Sequence, residues 1–153
     1  MPEPLAYLLT WTCYGTWLPG DDRGWVDKHD AGPAEPYKGA DPVRRAAAAA
    51  RMEEAAVTLS PEWREVVERS IRLVSQFYGW VVHQVNARSN HVHVVVTAQG
   101  TRPEKVMQAF KTNASRVLNG LHRRNHWWTE GGSKRYLNDE RSVAGAIVYV
   151  RDQ

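Results

Sequence analysis

A single cysteine, Cys13, stands among the 153 residues, which excludes an internal disulfide and any zinc site built from several thiolates. It is read as a small buried residue. No run reaches the roughly 18 apolar residues of a membrane-spanning helix, and the opening MPEPLAYLLTWTCYG has neither a basic start nor a long apolar core. Secretion and membrane insertion are therefore not expected, and the expected compartment is the cytoplasm. Internal repeats are missing too. What is present is ordinary for a soluble globular protein, with 42% hydrophobic and 24% charged residues, and the length is that of one domain covering 1–153.

The net charge is only +3, but it is unevenly spread: residues 1–100 carry 10 Lys and Arg against 12 Asp and Glu, and residues 101–153 carry 10 against 5. An anionic partner for the C-terminal third is one reading of this asymmetry. Solvated helix faces are the other.

Residues 5–12, LAYLLTWT, set Leu5, Tyr7, Leu9 and Trp11 against Ala6, Leu8, Thr10 and Thr12 and predict a first strand. A stretch rich in proline and glycine follows, then an alanine-rich helix over Val43–Val57 opened by Asp41-Pro42; the block at about 19–57 reads as an insertion. Ser60-Pro61 caps a helix whose apolar residues recur at helical spacing and which Gly79 ends. Trp80–Asn86 and His91–Thr97, joined by a four-residue turn, form a hairpin. Thr101 to Glu104 has the form of a capping box, and the helix it opens presents Val106, Phe110, Ala114, Val117 and Leu121, with Gly120 as its C-cap. A short strand near Lys134–Leu137 and a last helix capped by Asn138 or Asp139 complete the chain. Without the insertion this order predicts an α+β, ferredoxin-like (RRM-like) antiparallel sheet with helices on one face and an appended C-terminal helix.

Within NHVHVVVT, alternation turns His91, His93, Val95 and Thr97 to one side and Val92, Val94 and Val96 to the other. The valines suit the core. The imidazoles are left about 7 Å apart at Cα on the opposite face, near enough to ligate one divalent ion or to sit as partly exposed sheet histidines. Six histidines give about 0.2 such pairs by chance, so the pair needs a second feature. The last helix supplies one. Its apolar stripe, Val143, Ala146, Ile147 and Val150, leaves Ser142, Gly145, Tyr149 and Gln153 on an adjacent face, and Gly145 makes room one turn before the phenol.

Asn90-His91-Val92-His93 with its valine run, a basic helix containing FKTNASRVLN, a tryptophan-rich turn and a terminal Tyr-x-x-x-Gln together resemble the single-tyrosine HUH transposases, in particular the REP-associated tyrosine transposase group. TWTCYGTWLPGDDRGWV resembles one subgroup of these. The pattern departs from the usual one at Ser89, where relatives commonly have proline, and at Gln153, where many have asparagine before proline. A natural tail beyond Gln153 is expected. The resemblance implies that His91, His93 and Gln153 hold a Mg or Mn ion, and that Tyr149 cleaves single-stranded or hairpin DNA and becomes linked to the 5′ phosphate. The three donors are then expected within about 5 Å of one another, with Asp152 as the alternative third ligand. An unaided phenol of pKa about 10 is only about 0.1% ionised at pH 7, so such a nucleophile needs help.

Lys105, Lys111, Arg116, Arg123 and Arg124 form a candidate DNA-phosphate stripe or a solvated surface. Trp11, Trp17, Trp25, Trp127 and Trp128 are candidate base-stacking surfaces or core. His122 and His126 are one helical turn apart without an evident third ligand. Besides the transposase reading, a non-catalytic single-stranded nucleic-acid-binding module of RRM-like fold and a phosphodiesterase using water remain open, as do a homodimer and a monomer.

Overall fold

The computed structural model describes residues 3–16 and 38–153. Four strands, β1 (Ala6–Thr12), β2 (Val81–Ala87), β3 (His91–Thr97) and β4 (Ser133–Leu137), form one sheet in the order β2-β3-β1-β4, every neighbouring pair antiparallel. The four helices are α1 (Pro42–Ala50), α2 (Pro61–Tyr78), α3 (Pro103–Asn119) and α4 (Glu140–Arg151). The β1-α2-β2-β3-α3-β4 path is the expected split β-α-β arrangement, with α1 in the connection after β1.

α2 and α3 pack on each other and on one face of the sheet, where Leu9, Trp11, Val92, Val94 and Val96 meet Val67, Ile71, Val106, Phe110 and Leu118. α4 lies on the other face, over Ala6, Leu8, Val95 and Leu137, which it meets with Ala146 and Val150. The period of two in β3 thus serves both layers. Cys13 is fully buried in the larger core, and burial pushes its thiol up to about 12.

Ser60 Oγ accepts from Trp63 N and Gly79 takes the left-handed conformation that ends α2, as its sequence requires. Three local expectations are corrected. The alanine-rich helix stops at Ala50 rather than Val57, because the following residues are drawn into tertiary bonds: Glu54 accepts from the backbone of Asn125 and His126, and Val57 N donates to Tyr14 O. Pro103 fixes the first turn of α3, so Arg102 is the N-cap and Thr101 makes no capping bond. The buried face of α3 continues through Leu118 instead of Val117 and Leu121, which are about half exposed, and Gly120 ends the helix with φ −70°, without using its freedom.

Candidate active site

The functional face begins with a row of polar side chains crossing the sheet. His93 lies opposite Asn86 in β2 and Thr10 in β1, and Thr10 lies opposite Ser133 in β4. His93 is only 5% exposed. Its Nδ1 is 2.8 Å from Thr10 Oγ1, which leaves Nε2 for another partner. His91 Nδ1 is 2.7 Å from Asn90 Oδ1; that oxygen can only accept, so the ring proton sits on Nδ1 and the Nε2 lone pair is available. The two rings meet edge to face at 4.7 Å between centroids. Burial, reinforced by His91 and Arg88, pushes His93 down to about 4, and burial with Arg88 also lowers His91. Both imidazoles are therefore neutral at pH 7, the form that ligates a metal.

α4 brings Tyr149 to this pair, its ring centroid 5.5 Å from that of His93 and its side chain about half exposed. The C-terminal end of α4 is held to the sheet by Asn86, whose amide donates to Val150 O at 2.9 Å and to Gln153 O at 3.4 Å. Gln153 donates its own amide N–H to Tyr149 O at 3.0 Å, leaving Oε1 outside that bond. The structure thus brings together His91, His93 and Tyr149 and anchors the Gln153 backbone to the strand residue beside His93, without a hydrogen bond between the Gln153 side chain and either imidazole. Asp152 faces Arg151, 3.0 Å away, and is exposed. No cluster of three or more His, Cys, Asp or Glu side chains able to hold a metal occurs among the described residues; the Gln153 amide is an oxygen donor of another type at the end of α4. Two neutral imidazoles with their Nδ1 atoms engaged, plus one amide oxygen, suit a divalent ion with open water positions.

The basic stripe is less uniform than its sequence. Lys111 is partly buried, donating to Thr129 O at 2.9 Å and to Gly131 O, and desolvation lowers it to about 8. Arg124 donates to His126 O and Ala55 O and lies over the Trp127 ring. Both tie loops together. Lys105, Arg116 and Arg123 are exposed. Trp11 and Trp127 are buried and Trp128 packs edge-on to Trp11, so these three belong to the core and are not a stacking surface; Trp17 and Trp25 lie outside the described residues. His122 packs on Trp63, while His126 stacks on Tyr14 and pairs with Glu53, so the two have separate partners.

Sequence reasoning missed Thr10, Asn86, Ser133, Arg88 and Arg135 as site residues. Thr10 had a visible signal, a hydroxyl in the middle of an apolar strand. Asn86 and Arg88 depend on the exact register of the β2–β3 hairpin, and Ser133 and Arg135 on β4 becoming the neighbour of β1. The aromatic platform that an RRM-like module needs is absent from the described part of this face: Tyr7 and Trp11 point into the larger core, and α4 covers Ala6, Leu8 and Val95. No described helix is long and apolar enough to cross a membrane.

No curated protein matches the sequence. Among solved structures, the REP-associated tyrosine transposase bound to a REP hairpin is similar with a TM-score of 0.57 and 8% identity, over 97% of this chain and 66% of that one. The present chain thus spans slightly less than two thirds of that protein. A provisionally named transposase from Deinococcus radiodurans R1 gives 0.55 and 13%, over 100% of this chain and 93% of that one. At such identities the likeness is one of fold. The family model described as "Transposase IS200 like" matches residues 50–151, well over half of the sequence and the whole stretch that carries the histidine pair and the tyrosine, and the chain belongs to that family.

Proposed function

We propose that this protein is a DNA strand transferase that cuts single-stranded DNA at hairpin or palindromic sites through a 5′-phosphotyrosine on Tyr149. The observation that carries this reading is the ring of Tyr149 set 5.5 Å from that of His93, in a groove open to solvent. His91, His93 and Gln153 would hold a Mg or Mn ion. When bound, such an ion supplies a Lewis acid that offsets charge developing on the scissile phosphate.

The protein's own residues do the rest. Thr10 and Asn90 hold the imidazoles through Nδ1, and burial keeps those rings neutral. Asn86 anchors the end of α4, which sets Tyr149 relative to the sheet. The Tyr149 oxygen attacks phosphorus, the bond from phosphorus to the 3′ oxygen breaks, and the proton lost by the phenol is balanced by the one gained by the leaving 3′-OH. Because the phosphodiester energy is retained in the tyrosyl ester, a 3′-OH can reverse the step and rejoin strands without ATP. Lys105, Arg116 and Arg123, with Lys111 and Arg124 in the loops they brace, would supply charge for the hairpin's phosphates.

The test is incubation of a labelled DNA hairpin carrying a single-stranded flank with the protein and Mn, followed by denaturing electrophoresis. Wild type should give an SDS-stable adduct. Tyr149→Phe and His91→Ala should give none, while Tyr149→Phe still binds the hairpin. Cleavage by Tyr149→Phe would overturn the reading in favour of a water nucleophile.

A further inference from the structure

One cation in the groove beside Tyr149 has no part in the chemistry above. β4 is an outer strand, and the alternation that buries Leu137 under α4 turns Ser133 and Arg135 to the same side. Arg135 pairs with Leu8 and Ser133 with Thr10, so Arg135 sits one row from the line of Ser133, Thr10 and His93. The groove, of about 620 Å³, runs between β4 and α4 and is lined by Thr10, His93, Arg135, Gly145 and Tyr149 among others. Lys111, Arg124 and Arg151 are all engaged by carbonyls or a carboxylate. Arg135, by contrast, is exposed and has no hydrogen bond, ion pair or ring contact among the described residues.

Gly145 provides the second observation. It lies inside α4, where glycine costs about 1 kcal/mol relative to alanine. Packing does not require it, since a Cβ there would meet nothing within 4 Å. The missing side chain leaves the groove wider one turn before Tyr149.

We infer that Arg135 grips a backbone phosphate of the DNA strand being cut, and that the gap at Gly145 admits the sugar-phosphate chain to Tyr149. The inference rests on the assignment of Tyr149 as nucleophile. A guanidinium offers a planar pair of N–H donors that matches two phosphate oxygens, and a cation with no internal partner gives up no protein contact to make that bond. The ligand is the phosphodiester itself, so no base is specified.

The experiment combines protein variants with neutralised phosphates. Single methylphosphonates are placed at successive positions of the flank in the hairpin substrate, and cleavage rates are compared for wild type, Arg135→Gln and Arg135→Lys. Arg135→Gln should lower kcat/KM by about 10–100-fold on the unmodified substrate, the effect of losing one charge-assisted hydrogen-bonded contact, with Arg135→Lys in between. At one position a methylphosphonate should slow wild type by a similar factor and leave Arg135→Gln no slower. A purely structural role for Arg135 would not depend on one phosphate. Gly145→Leu should block cleavage while preserving hairpin binding. Equal rates for wild type and Arg135→Gln, or methylphosphonate effects the same in both at every position, would overturn the inference. Failure of wild type to form any adduct would instead overturn the reading of Tyr149.

Discussion

Under α2 and α3, Leu9, Trp11, Val92, Val94, Val96, Phe110 and Leu118 have almost no contact with solvent. On the other face the apolar set is Ala6, Leu8, Val95 and Leu137 with two residues of α4, and it gives way within one row to Thr10, His93 and Ser133. Two helices of 18 and 17 residues cover the first face, while one of 12 covers part of the second. The same alternating strands therefore build a core on one side and leave a half-covered polar groove on the other. A small apolar patch is enough to seat α4, and stability need not come from the residues beside it.

That division can be broken from the core side. Phe110→Ala removes a fully buried ring that packs against Trp11 and Trp80, and it should cost about 3–5 kcal/mol in urea denaturation. A loss well under 1 kcal/mol would mean that the larger face is not what holds the fold.

A smaller effect is expected from His93, the one buried ionisable group of the polar row. Its folded-state pKa of about 4 lies below the ordinary value for histidine. Between roughly pH 6.5 and 4 the unfolded chain takes up a proton that the folded one refuses, so stability should fall as pH drops through that window. His91 is shifted in the same direction and adds to the slope. Urea denaturation at pH 7 and 4.5, in EDTA, should show a weaker pH dependence for His93→Gln than for wild type. An unchanged dependence would place the proton elsewhere. The smallest effect is expected at Tyr149, half exposed at the rim: Tyr149→Phe should shift stability by no more than about 0.5 kcal/mol.

The comparison also shows which features were legible in the residues. His91 and His93 opposite the valines follow from a period of two, and Tyr149 beside Gly145 follows from the apolar stripe of α4; both are local patterns, and the structure keeps them. Arg135 was not legible, because its place depends on β4 pairing with β1 in a register that no short-range pattern encodes. Lys111 and Arg124 read as surface charge, yet carbonyls of distant or looping segments claim them. The alanine-rich run predicts a longer helix than it forms, because the end is set by Glu54 bonding across to 125–126, not by alanine's helix preference.

The central claim is that Tyr149 becomes covalently joined to DNA. Tyr136 is the informative control: it is also exposed, but its ring packs at a tilt against that of Tyr7, 5.5 Å between centroids, and Tyr7 belongs to the larger core on the far side of the sheet from the groove. Trypsin separates the two, since cleavage after Arg135, Arg141 and Arg151 leaves Tyr136 and Tyr149 in different peptides. Mass spectrometry of the digested, nuclease-trimmed adduct should find the nucleotide mass on the peptide 142–151. Finding it on the peptide that carries Tyr136, or on no tyrosine at all, would contradict the account.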